Sequence, residues 1–295
     1  MNRKKLTRSD VQHFVLFFPG FAVYFGLIII AIFLAFYYSF FNWDGLKRTM
    51  DFVGFTNYIR ALKNTAFMGS LKVTFFYAIF GTVITNLIAL TLSTFLNQKS
   101  KLTYFYRSAF FFPQLISLVA VGFIFKALLS YIGIVNTLLA NAGMAKINFL
   151  ADPALAQWTI LFISVWQTTG FATVLYLAGL QAIPLELYDS AKIDGANSWK
   201  KFRYITFPWL APSFTAVTVF LFTGYMRIFD IIYVLTSGGP AGKTESVAIH
   251  IIRIGFNQFR ISYASAIAMY MLVLVSVIAL TLTDVLRKRE NDLIA

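Results

Sequence analysis

Few residues in this 295-residue chain have the types and spacing that bond-breaking chemistry requires. The chain has no Cys and only two His, and nothing pairs His13 or His250 with a nucleophile or with metal ligands. We expect both histidines to be surface residues. The sequence contains no GxxxxGK[ST] stretch, so it offers no Walker loop for ATP. These observations predict no catalytic residues and no metal site, and they argue against an enzyme.

The remaining candidates are polar side chains that lie within long uncharged stretches. Hydroxyl, amide and charged groups in such places can hydrogen-bond a polar solute that has lost its water. The candidates of this kind are Gln114, Ser117, Ser164, Gln167, Thr168, Thr169, Thr223, Tyr225, Arg227 and Asp230. Trp166 and Tyr225 add flat apolar faces. Each also has a purely structural interpretation, because Ser and Thr in membrane helices commonly bond their own backbone and Trp166 suits a packed core.

Arg227 and Asp230 stand three residues apart, a spacing that places them on one face of a helix. An unpaired charge inside a membrane costs several kcal/mol. We therefore expect these two side chains to neutralise each other. The alternative is that Arg227 binds an acidic substrate, such as a uronate oligosaccharide.

The stretches that hold these residues are long enough to cross a membrane. The chain is 59% hydrophobic and 13% charged, whereas soluble domains carry about 25% charged residues. Six runs contain no Asp, Glu, Lys or Arg: 14–41, 73–96, 108–125, 153–185, 204–226 and 261–283. Each reaches or nears the ~20 residues that span a bilayer core as a helix. The sequence therefore predicts an all-α, polytopic membrane protein with six transmembrane helices, and it excludes soluble enzymes and DNA-binding modules.

The distribution of basic residues predicts the orientation of the chain. More Lys and Arg lie on the side that holds both termini and the second and fourth loops, so that side is expected to be cytoplasmic. The net charge of +13 is then a signal of topology and of anionic lipid rather than of nucleic acid. The first run exceeds a signal-peptide core and lacks a cleavage site, so we expect a retained first helix. Shorter helices are expected in the outer loops, around residues 56–62 and 133–142.

The predicted cytoplasmic segment 180–212 is the most informative part of the chain. Pro184 suits an early helix position, and acidic residues follow in the first turns, so a short helix is expected over 185–194. Gly195 can take the left-handed conformation that ends this helix. Leu187 and Ala191 then share a smooth helix face with Gly195, which another protein could approach closely.

A second helix is expected to follow Gly195. Asn197 or Ser198 can cap it, and it should run through Ile205 until Pro208 stops it. The two helices form a helix–glycine–helix elbow that projects from the membrane. The alternative is a helix that rests on lipid headgroups, supported by the basic residues 200, 201 and 203.

The elbow resembles the conserved cytoplasmic loop of permease subunits in bacterial ATP-binding-cassette (ABC) importers. The family pattern is Glu-Ala-Ala, three residues, Gly, nine residues, Ile, one residue, Leu-Pro. The matching positions are Asp189, Ser190, Ala191, Gly195, Ile205, Phe207 and Pro208, with Asp for Glu, Ser for Ala and Phe for Leu. In that family the loop contacts the ATPase, which implies coupling roles for Glu186, Tyr188, Asp189, Ser190, Ala191, Asp194 and Gly195.

The resemblance extends over about residues 70 to 290, towards the carbohydrate-importing branch that includes the maltose permease. The supporting stretches are Phe112-Pro113, IFK at 124–126, Trp166, LAGLQAIP at 177–184, LTSGGP at 235–240 with Thr244, and YASA at 263–266. Local alignment with the sugar cavity of that branch points to Gln114, Leu118, Ser164, Gln167, Thr168, Gly224, Tyr225 and Ile228. Together with Trp166 and Arg227, these residues are the predicted substrate-binding set.

The resemblance also implies a domain organisation and a set of partners. Residues 1–12 are expected to be cytoplasmic, 13–69 the first span with its outer loop, 70–287 a five-helix permease core containing the coupling loop 185–208, and 288–295 a cytoplasmic tail. The implied partners are a second, different permease subunit, two ATPase subunits and an extracytoplasmic sugar-binding protein. The chain would bind no cofactor itself, because ATP and Mg²⁺ are held by the partner ATPase.

The predicted function is that of an ABC importer subunit in the bacterial cytoplasmic membrane. Two other classes of function are alternatives to it. A secondary transporter driven by an ion gradient would favour internal repeats and carboxylates inside the spans, and Asp230 is the one such acid that the sequence places away from a span end. A membrane enzyme would require the catalytic constellation that is missing. An ABC importer for an acidic or non-sugar solute is a further alternative.

Overall fold

The computed structural model describes residues 8–98 and 101–294, with side chains for residues 16–98 and 102–290. The basic cluster at residues 3–8 and the side chain of His13 therefore lie outside the described side chains. In the part described, the chain is almost entirely helical, with one two-stranded ribbon. Six helical stretches are long and apolar enough to cross a membrane, which confirms the predicted six-span, all-α architecture. They are Leu16–Ser39, Thr65–Leu96, Leu118–Asn141, Pro153–Gln181, Ala211–Leu235 and Ile261–Glu290.

The first of two compact units consists of Met1–Lys63 with Ile251–Met271. Its N-terminal part holds α1 (Arg8–Tyr24), a π-helical turn (Phe25–Ile29), α2 (Ile30–Ser39), β1 (Phe41–Asn42), β2 (Asp51–Phe52) and α3 (Thr56–Lys63). The strands are antiparallel, with Phe41 opposite Phe52. Buried Asn57 donates from Nδ2 to the carbonyl oxygens of Ser39 and Phe41, at 2.9 and 2.7 Å, and so ties α3 to the end of α2. The short outer helix predicted around 56–62 is confirmed.

The second unit consists of Asn64–His250 with Leu272–Ala295. Its helices are α4 (Thr65–Leu96), α5 (Lys101–Leu115), α6 (Leu118–Leu129), α7 (Ile134–Asn141), α8 (Pro153–Gln181), α9 (Leu185–Ile193), α10 (Ser198–Lys201), a π-helical turn (Phe202–Thr206), α11 (Phe207–Trp209), α12 (Ala211–Met226) and α13 (Asp230–Leu235). Two helices run across the boundary between the units, namely α14 (Val247–Ile252) and α15 (Ile261–Ile294). The predicted helix around 133–142 is confirmed by α7.

Helix α8 forms the centre of the second unit and packs against α4, α5 and α12. Asp152 caps it, since its Oδ1 accepts from two backbone N–H groups of the first turn at 2.9 Å each, and Pro153 occupies the first helical position. Fully buried Tyr176 donates its hydroxyl to Asn86 Oδ1 on α4, at 2.5 Å. A polar pair inside this core thus fixes α8 against α4.

Two predicted spans are broken helices rather than single ones. The run 108–125 breaks at residues 116–117, where Ser117 takes an extended ψ of 134° and separates α5 from α6. Pro113, one turn earlier, cannot donate to the helix ladder, which weakens the helix at this point. The run 204–226 continues beyond Met226, through an unwound stretch at 227–229, into α13.

The expectation that Pro208 stops the second elbow helix is wrong. The helix continues through Pro208, and Leu210 donates its N–H to Thr206 O at 3.0 Å. The π-helical turn before it explains the difference, since Phe207 donates to Phe202 O, five residues back, and the widened turn accommodates the proline ring. The elbow is therefore connected to α12 by almost uninterrupted helix.

Candidate functional site

A cavity of about 330 Å³ lies among α5, α6, α8, α12 and α13 in the second unit. Residues from all five helices line it, and the two helix breaks described above both reach it. The lining residues are Gln114, Leu118, Ser164, Gln167, Thr168, Phe171, Phe220, Leu221, Gly224, Tyr225, Arg227, Ile228, Phe229, Asp230 and Ile231. The wall is mixed, with amide, hydroxyl and charged groups between apolar and aromatic surfaces, as small-solute sites commonly are.

The backbone groups freed by the two breaks find side-chain partners. Gln167 on α8 donates from Nε2 to Ile116 O, at 3.3 Å, beside the first break. Ser246 donates its hydroxyl to Ile228 O, at 2.7 Å, within the second. Irregular backbone is tolerated at membrane depth only where it is satisfied by protein or lines a cavity. These contacts keep the unwound segments in place at the cavity wall.

Tyr225 joins α12 to two other helices. Its hydroxyl oxygen lies 2.9 Å from Thr85 Oγ1 on α4 and 2.9 Å from Thr168 Oγ1 on α8. A Cβ atom at Gly81 would lie 2.7 Å from the Tyr225 ring, so only glycine leaves the ring room to approach α4. Tyr225 is 4% exposed, and its ring packs within the helices rather than presenting a broad face to the cavity.

The expected neutralisation of Arg227 by Asp230 does not occur. No ion pair joins these two residues among the described side chains, although both are exposed and line the cavity. Arg227 instead donates from Nε to Thr223 O, at 3.1 Å. The reason is the helix break, since α12 ends at Met226 and the i, i+3 geometry of a continuous helix does not apply.

Nine of the ten predicted substrate-binding residues line this one cavity, and Trp166 does not. Trp166 packs against Phe125, with ring centroids 5.4 Å apart, and faces a separate apolar cavity of about 690 Å³. It is the neighbour of Gln167, and successive side chains on a helix point in different directions. Three aromatic residues that were not among the predicted ones also line the cavity, namely Phe171, Phe220 and Phe229. Phe171 could have been found from its i+4 spacing to Gln167.

The first arm of the elbow and its turn form as predicted. Helix α9 ends at Ile193, and Gly195 follows with a left-handed φ of +68°, while Asn197 Oδ1 accepts from Lys200 N–H at 2.8 Å to cap α10. Most of the predicted coupling residues are exposed on it: Glu186, Asp189, Ser190, Asp194 and Gly195. The pair Lys192–Asp189, at 2.8 Å, is solvent-exposed and adds little stability.

Two elbow residues face the chain itself. Leu187 and Tyr188 pack against a cluster formed by Leu180, Ile183 and Leu210, so Leu187 does not belong to the smooth outer face that we expected. The Tyr188 hydroxyl lies 2.9 Å from Thr206 Oγ1. Tyr188 therefore joins α9 to the second arm of the elbow, and Ala191 is half-buried.

A buried acid–histidine pair holds the segment after α13. His250, expected at the surface, is 2% exposed, and its Nδ1 lies 2.7 Å from Glu245 Oε1, which is also buried. Within the same segment, the hydroxyl groups of Thr236 and Thr244 hydrogen-bond to each other, with their oxygen atoms 2.8 Å apart. The expectation that His250 is a surface residue is therefore wrong, because its contact with Glu245 lies inside the protein.

A family model described as the inner membrane component of binding-protein-dependent transport systems matches residues 85–291. The chain belongs to this family. The trehalose/maltose transport system permease protein MalF of Thermococcus litoralis is 33% identical over 81% of this chain and 83% of that protein. The probable starch degradation products transport system permease protein AmyD of Thermoanaerobacterium thermosulfurigenes is 26% identical over 99% of both chains.

Solved structures show the same fold for this permease. A chain of a bacterial ABC transporter involved in the import of the acidic polysaccharide alginate superposes with a TM-score of 0.83, over 95% of this chain and 96% of that one, at 21% identity. The permease is thus a multi-pass component of the inner membrane that works with a binding protein. It is a transport subunit, and ATP hydrolysis belongs to a separate subunit of the transporter.

Proposed function

We propose that this permease imports a sugar, most simply an oligosaccharide, into the cytoplasm of a bacterial cell. The observation that carries the proposal is the exposed elbow, whose acidic residues Glu186, Asp189 and Asp194 face solvent and whose two arms lead to α8 and α12, two of the helices that line the cavity. The names of the relatives MalF and AmyD, which refer to trehalose, maltose and starch degradation products, support a sugar substrate.

The proposed assembly contains four further subunits or proteins of three kinds. A second permease completes the translocation pathway, two ATPase subunits hold ATP and Mg²⁺, and an external binding protein delivers the sugar. Both termini and the elbow face the cytoplasm in this arrangement, as the excess of basic residues on that side supports. Residues 70–287 then form the shared permease core.

The connections between the elbow and the cavity suggest how a conformational change of the ATPase alters the sugar cavity. Helix α9 follows α8 after three residues, and the second arm runs into α12. At the base of the elbow, α8 and α12 are in close contact. Gly179 on α8 lies so near Ser213 on α12 that a Cβ atom at Gly179 would clash with Ser213 Oγ. Nearer the cavity, the hydrogen bond between Thr168 and Tyr225 joins them again. Movement of the elbow is therefore transmitted to two walls of the cavity together.

Purification of the tagged chain from its native membrane tests the assembly. The proposal expects an ABC ATPase and a second permease among the co-purifying proteins identified by mass spectrometry. In vesicles made from this complex, labelled maltose, trehalose or a maltodextrin should accumulate with ATP and the binding protein. Uptake by the chain alone, driven by an ion gradient, would instead support the secondary-transporter alternative and overturn the proposal.

Arg227, which forms no ion pair with the described side chains, supports a second candidate substrate, an acidic oligosaccharide. Its guanidinium group lines the cavity without an ion pair to Asp230. If the substrate is a uronate oligosaccharide, Arg227→Gln should abolish its uptake, whereas Lys243→Gln, an exposed cation outside the cavity, should not. If the substrate is neutral, uptake of maltodextrin should survive Arg227→Gln, and uronates should not be transported by either protein.

A further inference from the structure

Lys126 is a charged residue of the third span to which the cavity and the elbow assign no role. It lies in the last turn of α6, and its Nζ donates to Val234 O of α13, at 2.8 Å. The two residues are separated by 108 positions in the sequence. The contact therefore joins two different membrane spans.

The carbonyl oxygen of Val234 has no helical N–H partner, because Val234 lies in the last turn of α13 and no further helical turn follows. The negative end of the helix dipole also lies there, so a positively charged donor is favoured. Water is scarce in a membrane, so an unsatisfied carbonyl there is costly. A lysine ammonium group supplies a charge-assisted hydrogen bond to this oxygen, which is stronger than a neutral one.

A second contact between α6 and α13 lies one turn from Lys126. Gly122 and Val234 are both buried, and a Cβ on Gly122 would lie 2.8 Å from Val234 Cγ1 and 2.9 Å from Val234 Cβ. Glycine at this position lets the two helices approach more closely than any other residue would allow. The pair α6–α13 is thus fixed both by packing and by a polar contact.

The opposite ends of both helices lie at the cavity. Leu118 begins α6, Asp230 and Ile231 begin α13, and all three line the cavity wall. Each helix also follows a break, which separates it from the preceding helix of the same span. Helices α6 and α13 are therefore joined to each other at the ends away from the cavity. At the cavity, neither helix continues directly from the preceding helix of its span.

We propose that Lys126 is a positioning residue, which joins α13 to α6 so that the two helices move as one wall of the cavity during the transport cycle. Lys126 does not contact the sugar in this arrangement. It sets the position of Asp230 and Ile231 by holding the other end of their helix. The inference rests on the proposed transport function.

The first experiment compares three variants in the purified, reconstituted complex with its co-purifying partners. ATP hydrolysis is measured with and without the binding protein, because this ratio requires no knowledge of the sugar. Lys126→Met should lower the stimulation by about tenfold, as expected for loss of a charge-assisted hydrogen bond, without changing the basal rate. Lys126→Arg, which keeps a donor, should stay within about twofold of the wild type. Lys146→Met, which removes an exposed charge outside the cavity, should have no effect.

Full stimulation in Lys126→Met, or an equal loss in Lys126→Arg, would overturn the assignment. A wild-type complex that shows no stimulation at all would instead count against the proposed function. These two failures are therefore distinguishable.

A second experiment does not depend on the stability of Lys126→Met. The chain has no native Cys, so Gly122→Cys with Val234→Cys introduces a single pair. Its Cβ separation of 2.9 Å is shorter than the about 3.5–4.5 Å of a disulfide, so the two helices must move apart slightly for the bond to form, and the reduced form of the same variant is the reference. If α6 and α13 move together, oxidation to the disulfide should leave stimulated ATP hydrolysis and uptake intact. Loss of both on oxidation, with recovery on reduction, would show that the helices separate during the cycle and would refute the proposal.

Discussion

Substitution of Gly195 tests the elbow as a mechanical element. Its φ is +68°, and nothing lies within 4 Å of the position that a Cβ would take, so the cost of a side chain lies in the backbone rather than in packing. The left-handed region costs an L-residue about 1–2 kcal/mol, while Asn tolerates it and a β-branched residue suits it least. A penalty of that size lowers the population of the bent elbow by roughly 5- to 30-fold.

We therefore expect Gly195→Val to reduce ATP-driven sugar uptake in reconstituted vesicles by roughly 5- to 30-fold, with an unchanged amount of permease in the membrane. ATP hydrolysis should persist without matching uptake, since the ATPase itself is unaltered. Gly195→Asn serves as the matched control and should keep most of the uptake. Normal coupled uptake in Gly195→Val would refute the reasoning, and an equal loss in both variants would contradict its backbone origin.

Two further predictions concern the contacts that place Tyr225. Gly81→Ala puts a Cβ 2.7 Å from the Tyr225 ring, and overpacking of this kind costs about 1–3 kcal/mol, so the melting temperature of the purified complex and its uptake should both fall. Gly69→Ala, on the same helix but with open space around it, should change neither, and an equal fall in both variants would contradict the packing argument. Tyr225→Phe removes the hydroxyl shared by Thr85 and Thr168, which should destabilise the complex by about 0.5–2 kcal/mol; an unchanged melting temperature would show that these bonds contribute nothing.

The helices and the elbow could be predicted from the sequence because local rules determine them. Uncharged runs of sufficient length specify membrane helices, and the segment around Gly195 carries its own cap residues, so α9, the left-handed glycine and the Asn197 cap followed from a few neighbouring residues. The helix continues through Pro208, contrary to the prediction. The prediction assumed that the proline ring clashes with the preceding turn, and the π-helical turn before Pro208 relieves that clash.

The details of the cavity depended on information that one sequence read segment by segment lacks. The chain is unwound at 227–229, so Arg227 and Asp230 do not share one helix, and the unwound stretch receives a hydrogen bond from Ser246, a distant residue in the sequence. The direction of Trp166 depends on the rotation of α8 within the unit. The burial of His250 depends on its contact with Glu245. In each case a tertiary contact overrode an interpretation that was reasonable for a continuous, isolated helix or loop.

In the proposed function, the chain transports solute only when an ATPase on another subunit drives its elbow. The most direct measurement is solute uptake into vesicles that contain either the purified chain alone or the complete co-purified complex, with ATP and Mg²⁺ on the elbow side. Uptake should occur with the complex only, in proportion to the ATP hydrolysed, and it should stop when ATP is omitted. Accumulation of solute by the chain alone, without ATP, would contradict the proposed function.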